Sequence, residues 1–246
     1  MNFSLKKLFV SLIAALTLGM ANIAVAAEYN FVRIQGLAEQ AVGARLLEEV
    51  YNRAGLEITI TEMPGRRALE EAASGRMDGE TLRIFALGEN HPTLIRVPTP
   101  LSDLQTVAFR QAGTDMQVTS AQELENYSNA IVMGVLHTRN ITQDVDNVHE
   151  VRNSDALFRL VQSGRVDFAL SSNLDGRANL AQHGITGVEM VSPALATLQL
   201  YHYVHESKAD IIPMIDEIII EMRDSGELAQ LREQFEAEFI AAAAAQ

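Results

Sequence analysis

The chain contains no cysteine. That removes disulfides, thiol nucleophiles and thiolate metal sites, and leaves no residue for lipid attachment ahead of an exported domain. It is also short of positive charge, with 19 Lys and Arg against 32 Asp and Glu. Two of those lysines, Lys6 and Lys7, precede the apolar run Leu8 to Leu18 and the small-residue motif Ala24-Val25-Ala26. These are the three parts of an export leader, so cleavage is expected after Ala26, with residues 1–26 outside the fold and a periplasmic product. The remaining 220 residues carry 17 basic and 32 acidic side chains. Such a balance argues against nucleic acid and anionic membrane surfaces as partners, though a small anionic ligand can still find a locally positive cleft.

Other absences narrow the chemistry. Beyond the leader no apolar run spans a bilayer, since Ile211 to Ile220 is broken by Pro213, Asp216 and Glu217. No G-x-S-x-G, H-E-x-x-H or phosphate-cradling glycine loop is present. His202-Tyr203-Val204-His205 has the spacing of a metal pair, but residues three apart on a strand point to opposite faces and cannot share an ion. No cofactor is expected.

What is present is an echo. Ser74-Gly75-Arg76-Met77-Asp78 returns as Ser163-Gly164-Arg165-Val166-Asp167. Ala68, Leu69, Ala72 and Ala73 precede the first copy, and Ala156, Leu157, Leu160 and Val161 the second, each set on one helix face. Gly suits the position just past a helix end, where a left-handed residue stops it. Two helix–Gly–strand units about one domain apart imply two similar α/β lobes, and two lobes imply a ligand cleft. The flanking pattern predicts strands over 29–34, 56–61, 77–83 and 104–109, with helices near 42–54 and 66–73. The first stretch is therefore β-α-β-α-β, which favours a parallel sheet. Strands over 131–136, 145–151, 166–171 and 195–204 follow, with helices over 138–145, 154–162, 174–182, 209–223 and 226–240. Residues 84–100 read as irregular.

The order of these features resembles bacterial solute-binding proteins of family 3, the polar amino-acid-binding type. The resemblance is carried by Gly75-Arg76-Met77-Asp78-Gly79, by Gly164-Arg165-Val166-Asp167-Phe168, and by the ending Ile211-Ile212-Pro213-Met214 with Asp224-Ser225-Gly226-Glu227-Leu228. It implies the two-lobe type II periplasmic-binding fold, with two mixed sheets flanked by helices. One lobe would comprise 27–108 with 198–246 and the other 109–197. The crossing strands would lie near Val107–Phe109 and Thr197–Tyr201. It implies capture of a small polar or anionic solute by hinge closure, a membrane permease or sensor as receiving partner, and a monomer. A lyase on the same fold, similar to cyclohexadienyl dehydratase, is the alternative, with Glu80 and His137 as candidate acid and base. The chain departs from the family where the ligand's amino-acid groups are held: no Arg stands at Glu89-Asn90-His91, Ser171-Ser172-Asn173 replaces an Asp, and Gln35-Gly36-Leu37-Ala38 lacks an aromatic.

Candidate ligand residues follow from strand ends and helix starts. Arg83 closes the third strand, and its planar fork suits a carboxylate. Glu80 lies on the same strand and reads as an outward carboxylate. Thr138 and Arg139 open a helix after a strand, where free N–H groups attract anions. Ser172 and Asn173 end another strand, and Arg66 sits at a helix start. Arg83 and Arg139 are expected to approach the cleft from opposite lobes. Truncating Arg83 is expected to weaken binding and leave stability nearly unchanged.

Overall fold

The computed structural model describes residues 28–246. The expected leader lies outside them. The first strand, β1 (Glu28–Ile34), has Phe31 and Val32 buried on opposite faces, so both sides of its sheet must be covered. The helix α1 (Ala38–Arg53) lays Val42, Leu46, Leu47 and Val50 over one face, with Phe31 and Leu82. After β2 (Glu57–Met63), the short helix α2 (Gly65–Ala73) covers the other face through Ala68 and Ala72. The strand β3 (Gly79–Ile84) completes a parallel set in the order β2-β1-β3. The stretch read as irregular holds a one-turn helix α3 (Leu87–Asn90) and a three-residue strand β4 (Leu94–Arg96), both too short to show periodicity.

A long strand β5 (Ser102–Gln111) leads out of this half. A 3-10 turn at Ala121–Asn126 precedes β6 (Asn129–Val132), α4 (Leu136–Ile141), β7 (Val148–Val151), α5 (Ser154–Gln162), β8 (Phe168–Ser172) and α6 (Asn173–Gln182). Here β6 pairs parallel with β7 and β8, repeating the arrangement of the first half. Its cores are Phe109, Leu157, Phe158 and Val161 on one face and Val118, Leu124, Ile131 and Phe168 on the other. The chain returns through β9 (Val188–His205), then α7 (Ile212–Asp224) and α8 (Glu227–Ala244). Ile215 and Ile219 of α7 and Leu228 and Phe235 of α8 join the core over β1 and α1, as does Leu174 of α6.

The two halves meet through β5 and β9, which pair antiparallel, so the expected two mixed sheets form one path: β2-β1-β3-β9-β5-β8-β6-β7. Pairing slips in the middle. Thr106 faces Ala196, but Ala108 faces Val191. One residue of β5 thus spans four of β9, and Ser192-Pro193 lies in the slip, where a missing N–H costs no ladder bond. The return crossing therefore starts earlier than Thr197–Tyr201. Interrupted pairing of this kind bends a strand.

The echo is reproduced bond by bond. Gly75 and Gly164 have φ of 74° and 67°. The next N–H reaches back across each helix end, from Arg76 to Glu71 O at 3.1 Å and from Arg165 to Leu160 O at 3.0 Å. Asp78 then exchanges bonds with Asn30 of β1: its Oδ2 accepts from Asn30 N at 2.8 Å and its own N–H donates to Asn30 O at 2.7 Å. Asp167 does the same with Ser128 before β6, at 2.8 and 2.9 Å. Each Asp fastens the strand that follows it to its parallel neighbour.

Candidate ligand cleft

The parallel strands of both halves end in loops that face the region between them, the place where open α/β sheets present ligands. Ten large apolar side chains among the described residues are exposed. Five of them, Leu37 after β1, Ile84 and Phe85 at the end of β3, and Met133 and Leu136 after β6, sit at these strand ends. A soluble surface gains nothing from such clustering, so it marks a contact surface. A groove of about 490 Å³ runs alongside, lined by Arg33, Leu37 and Ala38 on one side and Val135, Ser154 and Asp175 on the other.

Buried polar side chains hold the strand ends in register. Gln40, in the first turn of α1, accepts from Ile34 N at 3.2 Å and donates to Leu82 O at 2.7 Å, tying β1 to β3. Tyr203 donates its hydroxyl to the carbonyls of Ile84 and Phe85 at 3.1 and 2.8 Å, fixing the loop after β3. In the second half, His137 Nδ1 lies 2.8 Å from Thr106 Oγ1 and joins α4 to β5 at the slip. Burial lowers the His137 pKa to about 4, so the ring is neutral.

Several charges at the strand ends are paired. Glu62 of β2 accepts from Arg33 Nη2 at 2.7 Å and from Gly36 N–H at 3.0 Å. Arg83 Nε lies 2.6 Å from Glu80 Oε2, and Nη2 donates to Oε1 at 3.2 Å. Burial pushes the Glu80 pKa up and Arg83 draws it back. A third group bridges the halves. Asp175 of α6 accepts from the Ala38 N–H of α1 at 3.3 Å. Glu39 of α1 lies beside it with its pKa raised to about 7, by burial first and by the Asp175 charge second. The Asp175 pKa is also raised, chiefly by burial, and these neighbouring carboxyls hold a proton between them near neutral pH.

No family model matches the chain. A protein of Shewanella oneidensis described as uncharacterized is 23% identical over 202 residues, covering 78% of this chain and 76% of its own. Solved structures give more. The chain superposes on the unliganded, open L-cystine solute receptor of Neisseria gonorrhoeae with a TM-score of 0.69 at 16% identity, covering 85% of this chain and 92% of that one. The ligand-binding core of GluR0 with L-glutamate gives 0.65 at 13% identity, covering 87% and 99%. A histidine kinase sensor domain similar to periplasmic binding proteins gives 0.60 at 14% identity, covering 86% and 96%. The chain has the type II periplasmic-binding fold.

Within this periplasmic-binding fold, the residues singled out from sequence have separate fates. Glu80 is not outward-facing: only 1% of its side chain is accessible, and it is bound to Arg83, itself 19% accessible. Truncating Arg83 would strand a buried carboxylate, so the expectation of unchanged stability does not hold. Arg139 lies over the edge strand β7, 3.3 Å from Glu150, and shares no partner with Arg83. Thr138 is not a helix cap. It is fully buried inside α4 and donates to Val135 O at 3.1 Å. Ser172 caps α6 by accepting from Asp175 N–H at 3.1 Å, and Asn173 donates to Gln105 Oε1 at 3.4 Å. Asn173 lines a different groove, about 600 Å³, between β5, β9 and α8. Arg66 points to solvent at 92% accessibility, paired with Glu70 one turn on. His202 is buried between Tyr51 and Glu80 O, whereas His205 bonds Ser207 at the surface. Sequence reading missed Glu39, Asp175 and Arg96. Nothing in their local spacing marks them.

Proposed function

We propose that this is a periplasmic solute-binding protein that captures a small polar or anionic solute by hinge closure and delivers it to a membrane permease or a membrane sensor. The supporting observation is the cluster of exposed apolar side chains at the strand ends of both halves, flanking Arg83 and Glu80, with a register slip in both crossing strands behind them. Closure would bring Leu37, Ile84 and Phe85 toward Met133 and Leu136. Each Å² of apolar surface so buried contributes about 25 cal/mol, and a solute between them completes the contact. The moving bodies would be 27–108 with 198–246, and 109–197. The similar solved structures include receptors for cystine and glutamate and a kinase sensor domain, so importer and sensor roles both stand.

A thermal-shift screen over amino acids, organic acids and oligopeptides tests the reading. A captured solute raises the melting temperature in proportion to its occupancy. If no solute in the screen stabilises the protein, the reading fails. Turnover of a stabilising solute to product would move it to the lyase class, whose candidate groups are both engaged already, His137 by Thr106 and Glu80 by Arg83.

A further inference from the structure

We propose that Arg96 is the carboxylate grip of the cleft, and that its ligand is an organic acid with an apolar body and no ammonium group. This rests on the solute-binding reading above. The cations first expected to hold an anion are occupied: Arg83 by Glu80, Arg139 by Glu150 and Arg66 by Glu70; Arg33, at the end of β1, is held by Glu62. Arg96 ends β4 opposite Tyr203 of β9. It is half-buried, and no Asp or Glu among the described residues forms an ion pair with it. Its Nε–H is buried without an acceptor, and the polar group beside the side chain is the uncharged hydroxyl of Tyr203. A charge so placed is partly desolvated and lacks a counter-ion, and a bound carboxylate supplies one.

The guanidinium is also pre-oriented. Its Cζ lies 3.5 Å from the Phe85 ring centroid and 4.8 Å from that of Tyr201. Those rings stand 5.9 Å apart at 77° to one another. Phe85 stacks against the fork and Tyr201 stands beside it, which holds the guanidinium in place for a carboxylate. Tyr201 faces Arg83 across the β3–β9 pairing, and Phe85 follows the end of β3, so the grip stands at the strand ends of the first half. Ile84 and Phe85 at that strand end are exposed, as are Met133 and Leu136 after β6 on the other half. These suit hydrocarbon. An ammonium group would need a free carboxylate; Glu62 and Glu80 are each held by an arginine, and Asp175, in the groove lining, accepts from Ala38 N–H and lies beside Glu39 with its pKa raised by burial.

The test titrates the purified protein with 3-phenylpropanoate and 4-methylpentanoate, and with their α-amino counterparts phenylalanine and leucine, by calorimetry and thermal shift. The acids are expected to bind more tightly than the amino acids. Arg96→Gln is expected to weaken binding of the acids about tenfold to a hundredfold with only a small fall in the melting temperature of the ligand-free protein, because ring contacts but no ion pair are lost. Arg96→Lys should recover only part of the affinity. The proposal is overturned if the amino acids bind as tightly as the acids, if neither acid binds, or if Arg96→Gln binds the acids unchanged. Each of those results leaves solute capture intact when another solute in the wider screen stabilises the protein, whereas failure of the whole screen ends both.

Discussion

The carboxyl pair joining α1 to α6 makes a prediction whose size follows from the structure. Glu39 is half-buried beside Asp175, with Glu236 adding a further like charge, and its pKa rises from 4.5 to about 7. Ser172 and the backbone N–H of Glu39 itself oppose the rise without cancelling it. A carboxyl whose folded value is raised favours the protonated form. Its contribution to stability is complete below pH 4.5, declines as pH climbs toward 7, and stays lost above. At about 1.4 kcal/mol for each unit, the loss is about 3 kcal/mol. Glu39→Gln keeps a donor for Asp175 and removes the titration. The variant should therefore match the parent near pH 4.5 and exceed it near pH 8, by roughly 6–12 °C in melting temperature for a chain of this size.

Two histidines make the variant necessary. Burial lowers both His137 and His202 to about 4. Their contribution is complete above pH 6.5 and is lost as pH falls toward 4, the opposite slope over the same range. A melting profile of the parent alone mixes the three. The difference between parent and Glu39→Gln, recorded by circular dichroism from pH 4.5 to 8.5 at constant ionic strength, isolates the carboxyl. A flat difference, or a variant less stable than the parent at pH 8, would refute the reasoning.

Two further outcomes test the packing. In Gly176→Ala the new Cβ would stand 2.2 Å from Cζ of the fully buried Phe109, so the change should destabilise by about 1–3 kcal/mol in a urea melt despite the better helix propensity of alanine; an unchanged midpoint would mean that the ring yields. Asp167→Ala removes the acceptor of Ser128 N–H and Oγ–H, both at 2.8 Å, and should cost about 1–3 kcal/mol by the same measurement, a loss that a merely solvated carboxylate would not produce.

The fold was legible because its elements announce themselves locally. The echoing Ser-Gly-Arg sequences end helices in the same left-handed turn and start strands on the same aspartate clamp, so a short motif carried the two-half architecture. Boundaries slipped where that local logic breaks. Ser192-Pro193 interrupts the apolar pattern, and β9 consequently looked seven residues shorter at its start than it is. Leu136 read as the last residue of a strand, because an apolar side chain there looks buried; it opens α4 and is exposed. Its exposure reflects the cleft, and a hydrophobic pattern cannot distinguish residues meant for a core from residues meant for a ligand.

The charges were less legible because pairing is a property of the folded chain. On a regular strand Glu80 and Arg83 would point to opposite faces, and only the irregular register between them, against β9, turns them toward each other. Glu39 and Asp175 are far apart in sequence and meet because α1 and α6 share a core through Leu46 and Leu174. In so acidic a chain, an informative cation is one that folding leaves half-buried without an acid, as it does Arg96. Sequence position made Arg83 conspicuous, yet the fold neutralises it. Arg96 sat in a stretch without periodicity, and it stands out only once the partners of the other strand-end arginines have been assigned and two aromatic rings are found against it.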